Sequence, residues 1–184
     1  MPSNIASALV FIVNALTSLY LLVLLLRFWL PWLRADFRNP LAQGILKLTS
    51  PVIIPLRRIV PSFGRLDTAT VLVAFVVQYL AILLILLIIG AGASFSVIAT
   101  TAIVKLVLLS VNLFMFAIFV RIILSWISPG QHNPATAIIS TLTEPLLRPV
   151  RRLIPALGGF DISPIFVIIP LGALTRVLMG FNLL

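Results

Sequence analysis

Four long apolar runs constrain this chain more than any other feature. They cover about residues 5–33, 68–89, 95–127 and 162–184. A helix needs about 20 apolar residues to cross roughly 30 Å of hydrocarbon. Backbone polar groups in lipid must be satisfied internally, so runs of this length must be helical. The composition leaves little alternative, because 61% of the 184 residues are apolar and only 9% are charged. A chain with so few charges cannot cover itself for water. The expected fold is an all-α membrane protein with four transmembrane helices. The first run is too long for a signal peptide and lacks the basic opening of one, so it reads as a retained helix.

Charge placement sets the expected topology. Thirteen Lys and Arg stand against four Asp and Glu, a net charge of +9. Arg34, Arg38, Lys47, Arg57, Arg58 and Arg65 lie between the first two runs, and Arg148, Arg151 and Arg152 between the last two. The connection from Gly90 to Ser94 is uncharged. The positive-inside rule places both basic loops in the cytoplasm and both termini outside. In lipid the positive charge suggests anionic headgroups as partners rather than nucleic acid, for which the aromatic-basic interleaving that stacks bases is missing.

A shift of 94 residues lays the sequence on itself without a gap, with 15 identities in the 41 positions from Arg27 to Asp67. Arg27 falls on Arg121, Trp32 on Trp126, Asn39-Pro40 on Asn133-Pro134, Thr49 on Thr143 and Pro51 on Pro145. Pro55, Arg57, Arg58, Pro61, Gly64 and Asp67 fall on Pro149, Arg151, Arg152, Pro155, Gly158 and Asp161. The chain therefore reads as two tandem repeats, residues 1–92 and 93–184. Each repeat has two spans, so the copies share one orientation about an axis along the membrane normal.

Within each repeat, Asn39-Pro40 and Asn133-Pro134 open a short amphipathic helix, with Asn as cap and Pro at the first helical position. Three prolines in eleven residues then predict that the helix stops and a stiff Pro/Arg-rich hairpin follows. The hairpin presents Arg57, Arg58, Arg148, Arg151 and Arg152 either to headgroup phosphates or a partner, or simply as topological anchors. Gly64 and Gly158 make the turn back, and Asp67 and Asp161 cap the following spans.

Arg27 lies roughly 9 Å inside the end of its run, and Arg121 holds the same place in the second repeat. Charges at such depth find partners or snorkel. The expectation is an Arg27–Asp67 pair and an Arg121–Asp161 pair, within or across units, with snorkelling to lipid phosphate as the alternative. Lys105 and Arg176 are read as snorkelling toward the outer surface. With one histidine, His132, and no cysteine, neither a metal site, a cofactor site nor a catalytic centre is expected.

The repeated Arg27, Trp32, Asn39-Pro40, Pro51, Pro55-Leu-Arg-Arg-Ile-Val-Pro61 and Gly64-x-x-Asp67 pattern resembles the YggT family, called YlmG in Gram-positive bacteria. The resemblance implies a small multi-pass protein of the bacterial inner membrane, with relatives in plastids. It associates such proteins with osmotic stress and ion uptake, cell division and, in plastids, cofactor assembly and nucleoid distribution. It brings no catalytic motif. The functions it leaves open are a non-enzymatic interaction or assembly factor, working as a homo-oligomer or with other membrane proteins, and an oligomeric component of potassium passage. The repeats also differ from one another. Arg34, Asp36 and Arg38 are matched by Ser128, Gly130 and His132, so the first loop is more charged, and Glu144 partly offsets the charge of the second.

Overall fold

The structure, a computed structural model, describes residues 4–64, 66–127, 133–154 and 161–181. Arg65, His132, Pro155, Gly158 and the end of the fourth apolar run lie outside them. Six helices follow in order: α1 (Asn4–Trp32), α2 (Pro40–Arg57), α3 (Thr68–Ile89), α4 (Phe95–Ile127), α5 (Pro134–Leu153) and α6 (Ser163–Met179). Among the described residues there is no strand beyond one isolated bridge, Phe63 to Leu66, which closes a turn at Gly64. Gly64 has φ +58°, the left-handed region that glycine enters without a Cβ clash.

Helices α1, α3 and α4 are long and apolar enough to cross a membrane. Helix α6 is apolar but has 17 residues. At 1.5 Å per residue that is about 25 Å, short of the roughly 30 Å of a full crossing.

The two repeats build matching three-helix cores. In the first, Leu24 of α1, Ile53 of α2 and Val73 of α3 are buried in one cluster. In the second, Ile118 of α4, Leu147 of α5 and Val167 of α6, the residues 94 positions further on, form another. Leu30, Ala42, Ala117, Ile138 and Leu142 bury the seam between the halves. Trp29 meets Phe114 edge-on there, with ring centroids 5.0 Å apart. At the same end α2 meets α5, and Asn39 Nδ2 donates to the Pro134 carbonyl at 2.7 Å. Both α1 and α4 therefore lead toward one end of the bundle, and the repeats run in the same direction. At the far end α3 hands over to α4 through Ile82, Leu86, Ile98 and Ala102.

The helices after the Asn-Pro caps are longer than the proline pattern predicts. Asn39 accepts from the Leu41 N–H at 2.9 Å. Asn133 and Thr136 form a reciprocal capping box. Both helices then continue through their prolines, α2 through Pro51 and Pro55 and α5 through Pro145 and Pro149. The expected stop and stiff hairpin are corrected to one continuous helix in each repeat. The reason is spacing. Prolines four residues apart fall on one face, and all four are exposed. The opposite face buries Ala42, Thr49 and Ile53 in α2, and Thr143 and Leu147 in α5, where Ile138 and Leu142 are buried on the turns before the prolines. The ladder bonds that the prolines remove are thus lost away from the buried face, whose packing holds the helix.

Candidate functional site

In the first repeat, α1, α2 and the start of α3 converge on a buried guanidinium. Arg27 is 3% exposed. Its Nη1 donates to Thr49 Oγ1 at 2.6 Å, to Ser50 Oγ at 3.2 Å and to the Leu46 carbonyl at 3.3 Å. Thr49 can accept because its own hydroxyl donates to the Ile45 carbonyl one turn back, at 2.7 Å. Arg27 Nε lies 3.6 Å from Asp67 Oδ2. That is an ion-pair distance but longer than a hydrogen bond, and this Nε is buried with no hydrogen-bond partner.

Asp67 works harder for another arginine. Arg57, at the end of α2, grips it with both Nε and Nη2, the former at 3.2 Å. Asp67 also caps α3, accepting from the Thr70 N–H at 3.4 Å and from the Thr70 hydroxyl. Burial raises the Asp67 pKa, but the bonds from Arg57 and Thr70 outweigh it and hold the carboxyl below its ordinary value.

The second repeat uses the same frame with one added acid. Arg121 Nη1 donates to Thr143 Oγ1 at 2.7 Å, and Thr143 donates to the Ile139 carbonyl at 2.7 Å. Arg121 Nη2 reaches Glu144 Oε2 at 2.8 Å. Arg151 Nη1 shares that oxygen at 3.3 Å, while Arg151 Nε donates to Asp161 Oδ2 at 2.7 Å. Asp161 accepts from the Ser163 N–H at 3.0 Å. The expected Arg121–Asp161 pair is therefore corrected to a relay, Arg121–Glu144–Arg151–Asp161. Glu144 stands closer to Arg121, and Arg151 takes Asp161. Burial raises the Glu144 and Asp161 pKa values. Donors outweigh it in both, the two arginines at Glu144 and Ser163 with Arg151 at Asp161, and both carboxyls sit below their ordinary values.

The basic residues read from the sequence divide into two kinds. Arg57 and Arg151, partly exposed themselves, bond to Asp67 and Asp161 and tie the end of one helix to the start of the next. Arg58, Arg148 and Arg152 are exposed. Their side chains make no ion pair among the described residues. Arg176 on α6 is exposed, and Lys105 on α4 is half-buried. Sequence reasoning missed Thr49 and Thr143 as partners of the membrane arginines. The available signal was their identical 22-residue spacing from Arg27 and Arg121. Among the described residues no group of His, Asp and Glu is placed to hold a metal ion.

Comparison with known proteins adds a family to this geometry. The family model described as CCB3/YggT matches twice, over residues 6–88 and 100–182, two segments with the same 94-residue offset found in the sequence. The chain is 42% identical over 173 residues to an uncharacterized protein of Pseudomonas aeruginosa, covering 90% of this chain and 85% of that one. It is 37% identical over 164 residues to the uncharacterized protein YggT of Escherichia coli, covering 89% and 85% respectively. A shorter match, 38% identical over 72 residues, is to the chloroplastic YlmG homolog protein 2 of Arabidopsis thaliana, covering 38% of this chain and 27% of that one. No solved structure matches.

Proposed function

This chain belongs to the CCB3/YggT family, and from that premise we propose that it is a non-enzymatic interaction or assembly factor of the bacterial inner membrane, serving envelope or osmotic stress responses and cell division. In this reading α6 completes a fourth span, α2 and α5 lie in the cytoplasmic interface plane, and both termini are periplasmic.

One observation carries the reading. At the end of the bundle where α2 meets α5, Arg57 and Arg151 are consumed by structural ion pairs, yet Arg58, Arg148 and Arg152 stand exposed beside them. Exposed guanidiniums fixed on packed helices suit recognition of anionic headgroups or of an acidic face on a membrane partner. The carboxylates in the arginine clusters are neutralised by their arginines, which leaves none of them free as a general base.

The test replaces Arg58, Arg148 and Arg152 one at a time with a photo-crosslinking residue in living cells. Reproducible cross-links to anionic lipid or to one membrane protein support the reading, as does loss of function in the triple alanine variant with an unchanged melting temperature. The reading fails if those positions cross-link to nothing while the purified protein carries potassium into liposomes. That result would establish ion passage, the second function that the family resemblance leaves open.

A further inference from the structure

The two arginine clusters are copies of one frame, yet they are not equally neutralised. Arg27, Thr49, Arg57 and Asp67 correspond one by one to Arg121, Thr143, Arg151 and Asp161. In the second repeat two guanidiniums meet two carboxylates. In the first, two guanidiniums share Asp67 alone. The missing acid is Glu144, whose place is taken by the short and neutral Ser50.

We infer that the first repeat holds a binding site for a phosphate-type oxyanion, seated beside Ser50 at the place that the Glu144 carboxylate fills in the second. In the second repeat that carboxylate takes Arg121 Nη2 and Arg151 Nη1. The corresponding donors, Arg27 Nη2 and Arg57 Nη1, make no hydrogen bond among the described residues. Arg27 Nε, buried in a side chain that is 3% exposed, has no hydrogen-bond partner at all. An under-neutralised guanidinium buried this deeply costs stability unless an anion completes it. The place can be reached from outside, since Ser50 is half-buried and the Arg57 side chain is 44% exposed. Two guanidiniums that meet at Asp67 Oδ2, with the Ser50 hydroxyl 3.2 Å from Arg27 Nη1, offer several directed donors. That geometry matches a tetrahedral oxyanion better than a spherical halide. The same chemistry comes from a phospholipid headgroup or from free phosphate. The site deepens the headgroup reading above and rests on it only for the lipid source.

Two reciprocal variants test it. Ser50→Glu supplies the carboxylate from the chain itself, and Glu144→Ser opens the equivalent place in the second repeat. The probes are inorganic phosphate, read as a shift in melting temperature of delipidated protein in detergent against chloride at equal ionic strength, and phosphatidylglycerol against diacylglycerol, read by native mass spectrometry. The natural protein is expected to show saturable stabilisation by phosphate. Ser50→Glu should melt no lower than the natural protein and lose the phosphate response, and Glu144→Ser should take up a second equivalent. Retention of phosphatidylglycerol but not diacylglycerol assigns the headgroup as the source, and a response to phosphate alone assigns the free anion. Unchanged binding in Ser50→Glu, or no saturable response in the natural protein, overturns the site. Cross-links from Arg58, Arg148 and Arg152 that persist in that case would leave the assembly reading standing, so the two fail separately.

Discussion

Asp67 and Asp161 occupy the same position in the repeat but face different surroundings. The Asp67 side chain is 6% exposed and holds both Arg27 and Arg57, whereas Asp161 is 38% exposed and Arg121 has Glu144 instead. Asp67→Asn leaves a buried guanidinium without a carboxylate and should cost about 3–5 kcal/mol. Asp161→Asn breaks a solvent-screened pair and should cost about 1 kcal/mol at most. Chemical denaturation of the two variants in the same detergent measures the difference. The carboxyls also set an acid limit. Asp67, Glu144 and Asp161 all titrate below their ordinary values, so their stabilising effect is full at neutral pH and disappears as pH falls through those lowered values. Stability should therefore hold from neutral pH down to the usual carboxylate range near about 4 and fall below it, a profile that thermal melts across pH would show. The sequence made the arginines and aspartates legible, because charges inside an apolar run demand an explanation. It did not reveal how they pair. Glu144 lies one residue past a repeated threonine and reads only as an offsetting charge, since helical rotation relative to a neighbouring helix is set by packing. Thr49 and Thr143 showed their repeated spacing from the arginines but not, for the same reason, that they face them.

At the scale of elements, starts were easier to read than stops. Asn-Pro at the head of α2 and α5 marks a cap and a first turn by local chemistry alone, and the helices begin there. The prolines further along read as breakers, and that reading fails because interior prolines are judged by the bonds they remove and not by the face they occupy. Pro51→Ala and Pro145→Ala should accordingly preserve the fold and keep or raise helical circular dichroism. A hairpin built on those prolines would lose its shape instead. The caps are unequal. Asn133→Ala loses a capping box and should cost about 1 kcal/mol. Asn39→Ala also loses the bond across to Pro134 and should lower the melting temperature further.

The whole molecule can be placed in its membrane by a direct measurement. The chain has no cysteine, so single replacements give clean reporters. Lys47→Cys, on the exposed side of α2, should react with an impermeant thiol reagent only from the cytoplasmic side, and Ser94→Cys, between α3 and α4, only from the opposite side. The same result on both would refute the topology. Two repeats and a common direction were legible from the 94-residue offset, but the contact between the repeats was not, because a duplication says nothing about which faces meet. Helix α3 packs on α4, and among the described residues the corresponding pair, α6 and α1, does not touch. The duplicated chain is therefore no closed twofold. It has a front and a back, like two steps of a stair. Another copy could in principle add to the α6 side as α4 adds to α3, but the position of Ile82, 2% exposed in that contact, is taken on α6 by Arg176. Burying that charge against an apolar helix would cost more than the contact returns. A further copy is therefore not expected to add on the α6 side as α4 adds to α3.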